Sequence, residues 1–408
     1  MGSKTSCLRT SVFFSLIAVS ICPGLANAGG VKDVVRDLYE GDGITLADVG
    51  PPFSHSAHFT ASSFQGLDEL NTALASGAGN LAFNSAVTGF AFDIERGLPV
   101  RITESLGPLL AERAPTIGRG KLNVAFTYTR IDYDSFEGTD LDDLSLIFQH
   151  DDVNGDGVLG PPGTPLDFET DQVNVDIDLD FTQDIFALFG TYGLTRNWDV
   201  GVVIPIIHSD ARAVGVATIV DNAIASPGRH QFDPVNQDAP VSVVDRDATG
   251  IGDVIMRTKY NFLRKHARAP DLAVVAQVKL ATGDENDLLG TGETDVLGLF
   301  VASKSMGKFT PHVNLGYEWS TDSELSNVRY VVGFDAVAHP RLSLAAELLG
   351  RWEPNGDGIG DSIIDLAVGG KWNPVGTLVF GANARFALNK DEGLRSDVIW
   401  TLGVESTF

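Results

Sequence analysis

Asp152-Val153-Asn154-Gly155-Asp156-Gly157 has the spacing with which oxygen donors surround a hard cation. Calcium takes several oxygens at short sequence intervals, with a glycine where the loop turns sharply. Asp152, Asn154 and Asp156 are therefore candidate calcium ligands. Position twelve of such a loop is Gly163 rather than glutamate, so the bidentate carboxylate would have to come from Asp167 or Glu169. The same residues also suit an ordinary solvated Asn/Asp/Gly turn. Asn355, Asp357 and Asp361 form a second, sparser set.

The other chemistry-bearing types are poorly arranged for catalysis. The eight histidines are His55, His58, His150, His208, His230, His266, His312 and His339. None forms an H-x-x-x-H pair. His55 and His58 lie three apart in a loop-like stretch, compatible with a zinc site or with two solvated side chains. His208-Ser209-Asp210 cannot form a triad among themselves, because neighbours on an extended strand point to opposite faces. Gly118-Arg119-Gly120 and Gly290-Thr291-Gly292 precede no helix that would hold a phosphate. No nucleophile–base pair can be named, so the chain is not expected to be an enzyme, and no cofactor is expected, with calcium at the loop above as the alternative.

The elements that carry these residues have a period of two. Val173, Val175, Ile177, Leu179 and Phe181 alternate with Asn174, Asp176, Asp178 and Asp180. Leu122, Val124, Phe126 and Tyr128 form an apolar row. Met256 and Tyr260 lie opposite Asp253, Arg257 and Lys259; Val274 and Val278 opposite Lys279; Leu315 and Trp319 opposite Glu318. Val328, Tyr330 and Val332 lie opposite Arg329, Leu348 and Trp352 opposite Arg351, and Phe380 and Phe386 opposite Arg385. A sandwich would bury the apolar rows between sheets; a membrane barrel turns them to lipid and the polar rows to a wet lumen. On the barrel reading the lumen is lined by Asp176, Asp178, Asp180, Asp253, Arg257, Lys259, Lys279, Glu318, Arg329, Arg351 and Arg385. These charges either pair across strands and fill the bore or line a path that selects solutes.

Composition favours the barrel. Lys4 and Arg9, the apolar Val12–Cys22 stretch and Ala26-Asn27-Ala28 read as a secretory signal peptide over residues 1–28. Cys7 and Cys22, the only cysteines, leave with it. Taking Lys4 and Arg9 from the 29 basic residues leaves 27 against 54 acidic ones, a balance unsuited to nucleic acid. An apolar content of 43% is too high for disorder. No later stretch is long and apolar enough for a spanning helix, so only a closed barrel could satisfy every backbone group in lipid.

The periodicity predicts twelve strands, near 120–134, 172–192, 198–208, 249–263, 271–282, 294–305, 309–320, 327–338, 342–352, 362–372, 377–388 and 395–408. Short connections, such as Thr195-Arg196-Asn197 and Met306-Gly307-Lys308, separate from long acidic or Gly-rich ones at 135–171, 209–248, 283–293, 353–361 and 389–394. Periplasmic turns and outer loops differ in this way. Trp198, Trp319, Trp352, Trp372 and Trp400 fall in or at the ends of strands, as girdle residues do. Residues 120–408 are thus expected to form an all-β, antiparallel up-and-down transmembrane barrel. Residues 29–119 form a less patterned segment, a plug or a periplasmic appendage, with helical turns at Val31–Tyr39 and Gly66–Leu74. A hairpin around Arg96-Gly97-Leu98-Pro99 would raise the count to fourteen if it joined the wall.

Several stretches resemble the meta-pathway phenol-degradation family of outer-membrane proteins: Leu280–Val296 (LATGDENDLLGTGETDV), Ala187–Leu194 (ALFGTYGL), Asp199–Pro205 (DVGVVIP), Thr249–Asp253 (TGIGD) and Ser105–Gly120 (SLGPLLAERAPTIGRG). These motifs are turns and glycines, not catalytic groups. The resemblance implies an outer-membrane channel or transporter for small, aromatic or otherwise apolar solutes. The alternative is a non-transporting barrel with a plugged lumen and cation-binding outer loops. The expected setting is the outer membrane of a Gram-negative-type bacterium, with its lipid, lipopolysaccharide and a small solute as partners. Phe408, ending an alternating strand, resembles the C-terminal signal read by the barrel assembly machinery.

Overall fold

The structure, a computed structural model, describes residues 29–38, 44, 46–47, 59, 90–93, 98–101, 105–153, 155–225, 227–232, 240–264, 269–323, 325–355 and 362–408. The expected signal peptide, His55, His58, the expected turns at 66–74, Asn154, His266, Asp357 and Asp361 lie outside the described residues.

Alternating apolar and polar side chains give long antiparallel strands. They are β1 (Leu122–Tyr133), β2 (Leu144–Gln149), β3 (Gln172–Gly193), β4 (Trp198–Val220), β5 (Val241–Ile251), β6 (Val254–Leu263) and β7 (Asp271–Leu280). There follow β8 (Asp295–Ser303), β9 (Phe309–Ser320), β10 (Asn327–His339), β11 (Leu342–Trp352), β12 (Ser362–Val375), β13 (Leu378–Ala387) and β14 (Val398–Thr407). The ladder runs β1, β3, β4, β6 and on through β14, whose Leu402 sits opposite Tyr128 of β1. Beyond β14, Phe408 and Leu122 exchange both backbone hydrogen bonds (2.7 and 3.0 Å), completing the seam. Among the described residues twelve strands thus close a barrel, and no strand edge is left open to lipid.

The count of fourteen through the N-terminal hairpin is not realised. Phe90–Asp93 pairs with Leu98–Arg101 in a separate two-stranded sheet. The two strands beyond twelve are instead β2 and β5, which pair with the far ends of β3 and β4. The segment 209–248, expected as a loop, therefore holds the upper half of β4 and most of β5. The predicted strand 249–263 breaks at Gly252-Asp253, where β5 ends and β6 begins.

Large apolar side chains form the outer surface. Leu122, Phe126, Leu188, Met256, Leu315, Leu402 and all five tryptophans are exposed. On β3 and β1 this girdle ends at a polar boundary, where the Tyr128 hydroxyl donates to Asp184 (2.6 Å) and Arg130 reaches the same carboxylate (3.2 Å). An aromatic ring with a polar tip suits such an interface.

Above that boundary β3 inverts the sequence-based reading. Asp176, Asp178 and Asp180 share the outward row of Asp184, Phe186 and Leu188 and are exposed, not lumenal. Val173, Val175, Ile177, Leu179 and Phe181 point inward and are buried. The strand rises beyond the lipid, so its outer face meets water while its inner face meets protein. That inner face packs on Val31, Val34, Val35 and Leu38. These N-terminal residues form two 3-10 turns, Val31–Asp33 and Arg36–Leu38, rather than one amphipathic helix. So short a segment is marginal as a helix on its own. Here its buried valines and the Lys32 N–H bond to the Asn286 carbonyl (3.0 Å) fix it at the barrel mouth.

Candidate functional site

The lumen is crossed by residues 105–119, which have no regular secondary structure. Pro108 and Pro115 remove N–H donors and disfavour helix. Seven of the remaining N–H groups find partners on the inner wall. Leu106 donates to Ser343 Oγ (2.9 Å). Leu109, Leu110 and Ala111 donate to the single carboxylate of Glu347 (2.7, 2.8 and 3.0 Å). Glu112 donates to Asn314 Oδ1 (2.7 Å), and Asn314 Nδ2 donates back to the Glu112 carbonyl (2.9 Å). Ala114 donates to Ser303 Oγ (3.2 Å) and Ile117 to Asp199 Oδ2 (2.9 Å). Apolar contacts seat the strap as well: Leu109 on Ala345 and Leu349, Ala114 on Ala273 and Val301. Gly118 and Gly120, at φ of 93° and 73°, turn it into β1.

The strap also supplies counter-ions. Glu112 pairs with Arg257 and with Lys259 (3.3 Å), and Arg113 with Asp335 (2.5 Å). His312, fully buried, lies between Asp335 (3.7 Å) and Glu347 (3.4 Å). Elsewhere on the inner wall Lys279 pairs with Asp295, Glu318 with Arg329 (2.5 Å), Arg351 with Glu353 (3.4 Å), Arg385 with Asp365 (3.5 Å) and Lys371 with Glu405 (3.3 Å). Asp253, Arg257, Lys259, Lys279, Glu318, Arg329, Arg351 and Arg385 thus lie on the inner side of the wall, held in these pairs. Asp176, Asp178 and Asp180 do not.

Asp253 has a further task. Its carboxylate accepts N–H bonds from Thr282 (3.1 Å), Gly283 (2.9 Å) and Thr291 (3.0 Å), drawing the loop 281–294 into the mouth. Leu288 and Leu289 are buried there. Gln183 and Ser209 donate to the Leu288 carbonyl (3.0 and 3.2 Å). A Cβ on Gly252 would lie 2.9 Å from the Leu289 carbonyl oxygen, so the strand break at this glycine admits the loop. Between mouth and strap lies a cavity of about 170 Å³, lined by Leu110, Leu297, Leu299, Leu349, Lys279, Arg329 and Arg351 among others.

Of the candidate calcium ligands, Asp152 accepts the N–H groups of Gly155 and Gly157 (2.8 and 2.6 Å), and Asp156 that of Val158 (2.9 Å). Glu169 caps Val153 and Gly160, and Asp167 caps Gly163, Ile224 and Ala225. Sequence reasoning missed a different cluster. His150 and His230, eighty positions apart and both buried, bring their Nε2 atoms to 3.1 Å. His230 Nδ1 lies 2.8 Å from Asp171 Oδ2. Burial pushes the Asp171 carboxyl up, against the pull of the N–H donors of Asn222 and Ala223. No short-range spacing announces such a pair.

A closed antiparallel barrel with an apolar girdle, a charged interior and an internal strap is an outer-membrane type of β-barrel. The resemblance read from the sequence is borne out within that class: the family model described as "Putative MetA-pathway of phenol degradation" matches residues 151–338. No curated protein matches the chain. Among solved structures, an outer membrane channel from Pseudomonas putida F1 shares 12% identity over 73% of this chain and 99% of that one, with a TM-score of 0.46. The CymD monoaromatic hydrocarbon channel shares 9%, over 71% and 89%, with a TM-score of 0.36. The Ralstonia pickettii toluene transporter TbuX shares 11%, over 71% and 90%, with a TM-score of 0.34.

Proposed function

We propose that the chain is a gated channel of the Gram-negative outer membrane for small aromatic or otherwise apolar solutes. The observation that carries this is the cavity of about 170 Å³ held above a strap whose attachment is largely polar. An apolar cavity of about 150 Å³ accepts a benzene-sized guest. Leucines on one part of its lining and paired charges on the other suit a ring carrying a hydroxyl. Hydrogen bonds to a strap can be exchanged for water, which a continuous hydrophobic core does not permit, so the strap is suited to move. The phenol-degradation description of the matched family agrees with such a cargo.

The test is conductance in planar bilayers and uptake of labelled phenol or toluene by proteoliposomes, with wild-type protein and a strap-loosened variant, Glu347→Ala. Entry of the aromatic solute, faster in the variant, is the expected result. No conductance and no entry in either protein would sink the channel reading. It would favour a structural barrel that contacts lipid and lipopolysaccharide, a reading supported by the pairing of the interior charges with one another.

A further inference from the structure

One side of the cavity is rich in arginine. Arg329 of β10 and Arg351 of β11 are cross-strand partners, and both line the cavity. Like charges directly opposite one another destabilise a sheet. Arg329 is engaged by Glu318 and Asn327. Arg351 is less well served. Its side chain is 13% exposed, and Glu353 stands 3.4 Å from its Nε. Among the described residues neither its Nε nor its Nη1 finds a hydrogen-bond acceptor. Arg385 of β13, also on the cavity, has the same want at Nε. Its acid, Asp365, lies 3.5 Å away and also serves Arg395. Buried donors left unmet cost free energy, so an acceptor placed between these guanidiniums is favoured.

The opposite wall has the reverse balance. On β7 and β8, Lys279 is flanked by two carboxylates, Asp295 and, at 3.9 Å, Asp253. Six staves separate β7 from β13 in the ring of twelve. A field thus crosses the cavity and draws an anion towards the arginines. The tier beneath the charges is apolar. One inward position farther from the mouth, Leu349 follows Arg351, Val331 follows Arg329 and Leu297 follows Asp295, all on the same cavity. Leu110 of the strap lies below them.

An arginine fork matches a carboxylate with two parallel N–H bonds. We infer that the cavity selects aromatic carboxylates, with the carboxylate held by Arg351 and Arg385 and the ring seated on Leu297, Val331 and Leu349. The field orients the solute, its charge towards β11 and β13. This names the solute class of the proposed channel and rests on that reading for passage, though not for occupancy.

The experiment uses the folded full-length barrel in detergent at neutral pH, titrated by calorimetry with benzoate, phenol and acetate. Benzoate is expected to bind at one equivalent per chain. It should bind about tenfold or more tightly than phenol, which lacks the charge, or acetate, which lacks the ring. Arg351→Gln and Arg385→Gln should each weaken benzoate about 10–100-fold and shift phenol far less. Arg351→Lys, which keeps the charge without the fork, should fall between. Heat-modifiable migration of each variant reports that the barrel has folded. Phenol or acetate bound as tightly as benzoate overturns the inference, as does benzoate affinity unchanged in a folded glutamine variant of Arg351 or Arg385. Proteoliposome uptake separates this inference from the channel reading. Toluene entry with no benzoate binding overturns the inference alone, whereas benzoate binding with entry of neither solute overturns the channel alone.

Discussion

Replacing Glu347 by alanine should release the strap. Its carboxylate, fully buried, receives three successive N–H groups at 2.7–3.0 Å. A hydrogen bond to a charged acceptor is worth about 1.5–3 kcal/mol net. Three would total roughly 5–9 kcal/mol if they were independent and nothing replaced them. The lumen admits water, which re-satisfies part of each N–H, so about 3 kcal/mol is the expected loss. At about 1.4 kcal/mol per tenfold, that shifts the docked-to-undocked ratio by about two orders of magnitude. Open probability in single-channel records should rise accordingly. Proteolysis within 105–119 should accelerate by a similar factor. Glu347→Gln, which keeps one acceptor oxygen, should fall between. A folded Glu347→Ala barrel with wild-type gating and wild-type strap cleavage would refute the reasoning, because the strap would then be held by its remaining contacts without the Glu347 carboxylate.

Asp178→Cys should react with a membrane-impermeant maleimide on intact cells, whereas Glu318→Cys should not; the reverse pattern would restore the lumenal placement of the acidic row. Deleting Phe408 should leave more unfolded, protease-sensitive protein and less heat-modifiable barrel, since it removes both hydrogen bonds to Leu122 and the proposed signal for the assembly machinery. If Asp152, Asn154 and Asp156 bind calcium as their spacing proposes, added calcium should slow proteolysis of the 151–170 loop. Asp152→Ala, which also frees the Gly155 and Gly157 N–H groups, should cancel that protection.

The barrel was legible because lipid imposes a strict period. Leu122, Val124 and Phe126 cannot face a polar lumen, and Asn123 and Thr127 cannot face hydrocarbon. On β3 the same alternation persists, but above the lipid the solvents on its two faces change places, and period alone carries no sign. The upper parts of β4 and β5 were hidden for another reason. The inward positions of β4 are Ala211, Ala213, Gly215 and Ala217, small because Leu38 and Ile44 pack against that surface. Small residues leave little hydrophobic signal. The strap is recognised through backbone N–H groups, which every non-proline residue possesses, so only the resemblance of Ser105–Gly120 to the family marked it. Its counter-ions were half visible: Arg257 and Lys259 were placed inside, but their partner Glu112 lay in a stretch with no pattern to orient it.

The seam between Leu122 and Phe408 bears on how the molecule is made. The strap runs straight into β1 and is enclosed by the ring that β14 completes. Threading it afterwards through a sealed wall would mean breaking ladder bonds in lipid, where nothing replaces them. An N-terminal segment that already lies across the open, curling sheet when the last strand arrives avoids that cost. That final pairing joins residues from opposite ends of the chain, the kind of contact that forms slowly. The rate of zipping thus bears on how much of the interior is packed before the wall closes.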